Sequence, residues 1–388
     1  MEFDFDTPVD RRGSDSNKWG KYAGRDVLPM WVADMDFAAP PAVIEALHER
    51  VGHGVFGYGD TPPGCVEAVV EALQRDHGWR IEPDWLVWLP GLVTGLNVVC
   101  RAVGEPGDAI FTATPIYPPF LSAPRNSSRE VVSVPLERRG ERWEWDFDRV
   151  ESALTPRTRL LMLCNPHNPV GRVFTREELE TIAGIAERKN LIICSDEIHA
   201  ALVLDRTCSH LPIAALDESV ARRTITLMAP SKTYNIPGLG CAFAVISDAG
   251  LRRQFMAAMR GIVPHVNLLG FAAAEAAFRH AGRWHAALLD YLRGNADLAV
   301  SSINAMPGLS TTPIEATYLG WIDARELGVA DPAAFFEAAG VGLSNGADFG
   351  APGFVRLNFG CSRTLLAEAM ARMRHAVCEV RAGQPLKP

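Results

Sequence analysis

A chain of 388 residues with 48% hydrophobic content carries enough apolar material for sizeable cores in about two to three domains, without disulfide staples. Its formal net charge of -8 and pI near 5.7 exclude the broad basic surface that binding to a phosphate backbone requires. No stretch reaches the roughly 18 uninterrupted apolar residues of a membrane span, and the opening Met1-Glu-Phe-Asp-Phe-Asp6 is acidic where a secretory signal is basic, so a cytoplasmic protein with neither membrane nor nucleic-acid partners is expected.

In chain order, the first 45 or so residues are rich in Pro, Asp and Trp; they read as no regular element and are expected to pack across a domain junction. Residues 43–51 read as helical. Gly52-His-Gly-Val-Phe-Gly57 fits the pattern Gly-x-Gly-x-x-Gly, yet it follows that helix and runs into the turn-rich Tyr58-Gly-Asp-Thr-Pro-Pro-Gly64. A dinucleotide fingerprint lies between a strand and a helix, so the match is accidental. From about residue 85, short apolar runs alternate with amphipathic stretches, the pattern of βα units around a mostly parallel sheet. Seven strands are predicted, at 85–89, 109–113, 131–134, 160–164, 191–195, 224–228 and 242–246. Several are apolar throughout, as strands buried on both faces must be.

Helices are predicted at 94–103, at 175–189, where Thr175 and Glu178 form a capping box, and at 283–306. Past residue 285 the chain holds strand-like segments at 316–322 and 354–358 and a last helix at 364–380. The expected architecture is therefore α/β, with a large domain over 46–284 and a smaller α+β domain from 1–45 and 285–388. None of the eight cysteines is spaced as Cys-x-x-Cys, and several, such as Cys164 and Cys194, end apolar runs. They read as reduced, buried thiols rather than as metal ligands or nucleophiles.

Four short segments punctuate strand ends: Pro90-Gly-Leu-Val-Thr-Gly-Leu96, Asn165-Pro-His-Asn-Pro-Val-Gly171, Ser195-Asp-Glu-Ile-His199 and Ala229-Pro-Ser-Lys-Thr-Tyr-Asn235. In a parallel α/β sheet ligands collect at the carboxyl ends of strands, so the four can share one crevice. There Lys232 is shielded from bulk water, which lowers an ammonium pKa and suits an imine-forming amine or a base; a solvated loop lysine is the plain alternative. Asp196 is buried at its strand end and needs a cation, for which a pyridinium nitrogen or a nearby arginine would serve. Asn165 and Asn168 offer neutral donors, or simply two Asn-Pro turns. Leu92 and Val93 stand at a strand-to-helix junction whose amides can receive a phosphate, and Ser231 can add a hydroxyl. The Tyr117 ring is suited to stacking on a planar cofactor or to the core. Arg356, inside an apolar strand, is a bidentate clamp for a substrate carboxylate or half of a structural ion pair.

Taken together, these segments resemble the fold-type I pyridoxal 5'-phosphate (PLP) enzymes of the class I/II aminotransferase family over essentially the whole chain. The motifs stand in the family's order, with 28 residues from Asn168 to Asp196 and 36 more to Lys232. The resemblance implies the aspartate aminotransferase-like fold of PLP-dependent transferases, with a mostly parallel seven-stranded sheet. It implies Lys232 as the Schiff-base lysine, Asp196 on the pyridine nitrogen, Asn168 on the phenolate oxygen, Tyr117 on the ring, and Leu92, Val93 and Ser231 on the phosphate. Arg356 then binds the substrate carboxylate, with Ala33 and Tyr117 also at the substrate. Tyr58 matches a tyrosine lent to the partner subunit's phosphate, which implies a homodimer with shared active sites. The arginine that many aminotransferases carry several residues after the lysine has no counterpart in Gly238-Leu-Gly-Cys-Ala242.

Within that family the chain is most similar to the MalY/PatB-type cystathionine β-lyases, or cysteine carbon–sulfur lyases. The signs are Leu28-Pro-Met-Trp-Val-Ala-Asp-Met-Asp-Phe37, the histidine His199 where many aminotransferases have tyrosine, and Ser231-Lys-Thr-Tyr-Asn-Ile-Pro-Gly-Leu239. The expected reaction is β-elimination on an L-cysteine S-conjugate, a small amino-acid substrate. An aminotransferase using the same lysine, and a non-catalytic regulator on the same fold, are the alternatives.

Overall fold

The computed structural model describes residues 3–382. All seven expected strands form one sheet: β1 (Leu86–Leu89), β2 (Ala109–Thr114), β3 (Glu130–Pro135), β4 (Thr158–Cys164), β5 (Ile192–Asp196), β6 (Thr224–Met228) and β7 (Ala242–Val245). They lie in the order β1-β7-β6-β5-β4-β2-β3. Only β7 runs antiparallel to its neighbours. The central strands are apolar because both faces are covered. Ile110, Leu160, Met162, Cys194, Ile225 and Leu227 belong to the core on one side, and Phe111, Ala113, Leu161, Leu163 and Ile193 to the core on the other.

Strand register aligns the loops that bear the polar motifs. Cys164 pairs with Asp196, and Asp196 with Leu227, so β4, β5 and β6 end side by side. The chain leaves these ends, and that of β1, at one edge of the sheet. From β1 it enters helix α1 (Leu92–Ala102), two residues earlier than expected, because Gly91 rather than Val93 is the last non-helical residue. Helix α2 (Arg176–Arg188) is opened by Thr175, and both capping-box hydrogen bonds with Glu178 are made. The long helix α3 (Gly282–Asn304) and the last helix α4 (Arg363–Arg381) are where the apolar periodicity put them. Helix Pro63–His77 and the hairpin of Glu137–Arg139 with Arg142–Glu144 went unread in the sequence.

A second, antiparallel sheet is built from β8 (Ser310–Thr311), β9 (Leu319–Asp323), β10 (Ser344–Asn345) and β11 (Phe354–Asn358), in the order β8-β9-β11-β10. The strand expected from 316 starts only at Leu319. Ala316 bridges to Val203, the Thr317 amide bonds to Leu202 O, and Thr317 takes a left-handed φ of 75°. Ala316 and Thr317 therefore belong to the contact with the large sheet's loops, while Tyr318 O accepts from Phe359 N just past β11.

The N-terminal segment binds both sheets. Leu28–Pro29 pairs in parallel with Val341–Gly342. Farther on, the Asn235 amide reaches across from the β6 loop: Nδ2 donates to Met35 O (2.9 Å) and Phe37 O (2.7 Å), and Oδ1 accepts from Met35 N (2.9 Å). Asn358, at the end of β11, donates to Val32 O and, at 2.7 Å, to Asp34 O. Residues 30–37 thus form a strap between the sheets, and buried Lys18 and half-buried Arg11 pin it through Asp36 at 2.7 Å each. All eight cysteines are free, six of them buried; Cys208 is half-buried and Cys378 exposed. Among the described residues no cluster could hold a metal ion, and no helix is long and apolar enough to cross a membrane.

Candidate active site

The ends of β1, β4, β5 and β6 open into a cavity of about 930 Å³, closed on its far side by the strap and by β10 and β11. Lys232 sits in the turn after β6, and its Nζ donates to Ala33 O at 2.5 Å. Burial, seconded by the Arg356 charge, pushes its ammonium down to about 8, against the opposing pull of Asp34 and Asp196. The same Ala33 oxygen accepts from the Tyr318 hydroxyl at 2.9 Å.

Asp196, the last residue of β5, is 4% exposed. Ile198 N donates to its Oδ1 at 3.1 Å, and no described cation forms an ion pair with it. Burial pushes its carboxyl up to about 7, with Glu197 adding to the rise and Ile198 N and Lys232 opposing it. The adjacent Glu197 points elsewhere: it accepts from Ser195 Oγ (2.7 Å) and Ile213 N (3.2 Å) and pairs with His210 Nε2 (2.8 Å).

The two loop asparagines part company. Asn165 is fully buried and its Oδ1 accepts from Phe174 N at 3.1 Å, so it shapes the turn and does not line the cavity, contrary to its pairing with Asn168 as a second donor. Asn168 does line it, with Oδ1 accepting from Arg356 Nη1 at 3.0 Å. Arg356, in the middle of β11, is 4% exposed; Nη2 donates to Trp31 O (2.9 Å) and Ser344 Oγ (3.3 Å). Its guanidinium carbon lies 4.8 Å from the Phe349 ring centroid. Its Nε has no partner and no carboxylate bonds it, which removes the structural ion pair as an explanation. Burial lowers its pKa to about 10, leaving it cationic at neutral pH.

His199 is buried with Nδ1 unpartnered, its ring edge-on to Tyr318 (centroids 6.2 Å, 79°). Burial, with the Lys232 and Arg356 charges behind it, drives its pKa to about 3, so the ring is neutral. Tyr117 lines the cavity, and its phenol is pushed up by burial. At the other end α1 begins with Leu92 and Val93, and no side chain caps their amides. The Leu92 side chain is buried in the core and that of Val93 is exposed, and both residues line the cavity. Ser231 lines the same end. Tyr58, like Asn165, does not line the cavity; it is fully exposed on a loop beside exposed Val55 and Phe56.

Trp31, Asn235, Tyr318, Ser344, Phe349 and Asn358 were not singled out in the sequence. Trp31 and Asn235 fall inside quoted motifs; Tyr318 and Asn358 act across 285 or more residues of chain, and Ser344 and Phe349 meet Arg356 from the neighbouring strand and turn without a motif of their own. The donor set fits PLP: a buried carboxylate without a bonded cation, a shielded lysine, free amides at a helix N-terminus and an arginine with an orphan N–H.

The model of the family described as aminotransferase class I and II matches residues 25–373. Among curated proteins, cystathionine beta-lyase PatB of Bacillus subtilis is 35% identical over 96% of this chain and 99% of its own length. Among solved structures, OvoB is 50% identical with a TM-score of 0.95, covering 97% of this chain and 99% of its own. Cystalysin from Treponema denticola, whose crystal structure contains PLP, is 30% identical with a TM-score of 0.94 over 98% of this chain and 100% of its own.

Proposed function

The chain belongs to the class I and II aminotransferase family, and from that premise we propose that it is a PLP-dependent carbon–sulfur β-lyase. It cleaves L-cystathionine or related L-cysteine S-conjugates to a thiol, pyruvate and ammonia. The observation that carries this reading is the convergence of Lys232, Asp196 and Arg356 on one cavity, none with an ion-pair partner among the described residues.

When bound, the cofactor supplies an electron sink for the carbanion at the substrate Cα. Asp196 would keep the ring nitrogen protonated, Asn168 would offer Nδ2 to the phenolate oxygen, and Tyr117 and His199 would line the ring. The amides of Leu92 and Val93 and the Ser231 hydroxyl would hold the phosphate. Arg356 is preset to clamp the substrate α-carboxylate with N–H groups that strap and sheet already orient. Lys232 removes the Cα proton: an ammonium lowered to about 8 leaves a useful neutral fraction near neutral pH. The thiolate departs from Cβ, and the released enamine takes up water to give pyruvate and ammonia.

We also propose the division at 46–284 for cofactor binding, with 1–45 and 285–388 as the smaller domain, and a cytoplasmic homodimer in which Tyr58 reaches the partner's phosphate site. The exposed apolar residues Val55, Phe56, Met256 and Ile262 support such a contact. Incubation of cofactor-loaded protein with L-cystathionine is expected to release pyruvate and free thiol together. Release of neither, from cystathionine or any other cysteine conjugate, would overturn the assignment, and conversion of the cofactor to pyridoxamine phosphate would instead support transamination.

A further inference from the structure

At about 930 Å³ the cavity is at the upper end of the roughly 300–1,000 Å³ typical of small-molecule sites, and its outer part is charged. Two paths of contact lead there from Arg356. On one side Nη2 donates to Trp31 O; the Trp31 indole, fixed by Nε1 donating to Lys18 O at 3.1 Å, carries Lys21 Nζ 4.8 Å from its centroid. Lys21 and Arg25 both line the cavity and both lean on Glu337, at 3.7 and 2.9 Å. Glu337 is thus one carboxylate shared between two cations, and Asp331, which also lines the cavity, forms no ion pair with either among the described residues.

On the other side Arg356 Nη2 donates to Ser344 Oγ. The next residue, Asn345, donates to Asp331 at 3.3 Å and accepts from Ala347 N, capping the turn Gly346–Phe349. Asp348 lies in that turn, beside the Phe349 ring on which Arg356 rests; it is exposed, lines the cavity and has no ion-pair partner among the described residues. Two cations that share one carboxylate, and a carboxylate without an ion-pair partner among the described residues, therefore line the same cavity, each tied through a short chain of contacts to the arginine proposed to receive the α-carboxylate.

We propose that this outer wall is a second recognition site that selects cysteine conjugates whose leaving thiol bears its own amino-acid head group. Lys21 and Arg25 receive the distal carboxylate and Asp348 the distal ammonium. The inference rests on the carbon–sulfur lyase reading and names the substrate class within it. Exposed ion pairs are individually weak, so each contact is worth about fivefold in kcat/KM rather than orders of magnitude.

The test compares cofactor-loaded wild type with the pair Lys21→Ala and Arg25→Ala combined, and separately with Asp348→Asn and Asp348→Lys. Substrates are L-cystathionine, S-methyl-L-cysteine, S-(2-carboxyethyl)-L-cysteine and S-(2-aminoethyl)-L-cysteine, assayed for pyruvate. The ratio of kcat/KM for cystathionine to that for S-methylcysteine should fall about fivefold in each of the first two variants. The carboxyethyl conjugate should respond to the Lys21/Arg25 pair and the aminoethyl conjugate to Asp348, with Asp348→Lys reversing the preference between them. Ratios that stay at the wild-type value, or that fall equally whatever the charge of the S-substituent, would overturn the inference while leaving the lyase reading in place. Absence of pyruvate from every substrate, S-methylcysteine included, would overturn both.

Discussion

One backbone oxygen, that of Ala33, takes a hydrogen bond from the Lys232 ammonium and another from Tyr318, so the reactive amine is held by a group that cannot titrate. Lys232→Ala should lower turnover by at least about 10³-fold, and borohydride reduction with peptide mapping should tag position 232 in the wild type alone. Arg356→Lys keeps the charge but loses the planar fork that Asn168 and Trp31 orient; kcat/KM should fall about 30-fold or more, expressed mainly in KM. Asp196 gives a prediction with a sign. In protein stripped of cofactor it holds its proton up to about pH 7, whereas the unfolded chain releases it near 3.8. Between those values the folded state binds more protons, so this group's contribution to stability, up to about 4 kcal/mol, is lost as pH rises from 4 to 7. Asp196→Asn should therefore melt higher than wild type at pH 8 without cofactor, and thermal scans should show the gap closing towards pH 4. A gap independent of pH would contradict this account. Lys232 and Asp196 were legible because each follows an apolar run that predicts its burial. Tyr318 and Trp31 were not, since they act on groups about 285 and 325 residues away.

The central strands were legible almost to the residue because burial on both faces leaves only apolar side chains between turn signals. α2 was legible because Thr175 and Glu178 satisfy each other's amides, and Thr175→Ala should cost about 1 kcal/mol in chemical denaturation. The strap was legible only as part of a segment expected to pack across a domain junction, and not in its partners: mostly apolar, it bonds to side-chain amides from two distant elements and carries no periodicity of its own. Asn358 holds two of its carbonyls. Asn358→Leu removes one of the two donors to each, leaving Asp34 N on Val32 O and Lys18 Nζ on Asp34 O, at about 0.5–1.5 kcal/mol per lost bond, and should raise KM as well as lower Tm, because Trp31 and Ala33 lie on the loosened segment. An unchanged KM would show that the strap is mere scaffolding. The same reasoning explains why the predicted strand 316–322 lost its start, where Ala316 and Thr317 bond to the large sheet's loops rather than to β11.

For the whole molecule, Tyr58 and its exposed neighbours Val55 and Phe56 make the quaternary prediction. Phe56→Asp should convert a dimer to monomer in size-exclusion chromatography. Co-expressing Tyr58→Ala with Lys232→Ala should restore part of the activity that each homodimer lacks, since the hybrid contains one site with both residues intact; no recovery would mean that each subunit works alone. The pairing of Leu28–Pro29 with Val341–Gly342 has a consequence in time. A ribosome adding about 5–20 residues per second delivers the first partner some 15–60 seconds before the second, and Met30, Met35 and Phe37 wait through that interval without the surfaces that later cover them. The nascent chain can close its central sheet early, but the wall bearing Ala33 and Arg356 is completed only near the end of synthesis. Competence to hold substrate is thus among the last properties the polypeptide acquires, and the exposed leader is the stretch that a chaperone would have to shelter.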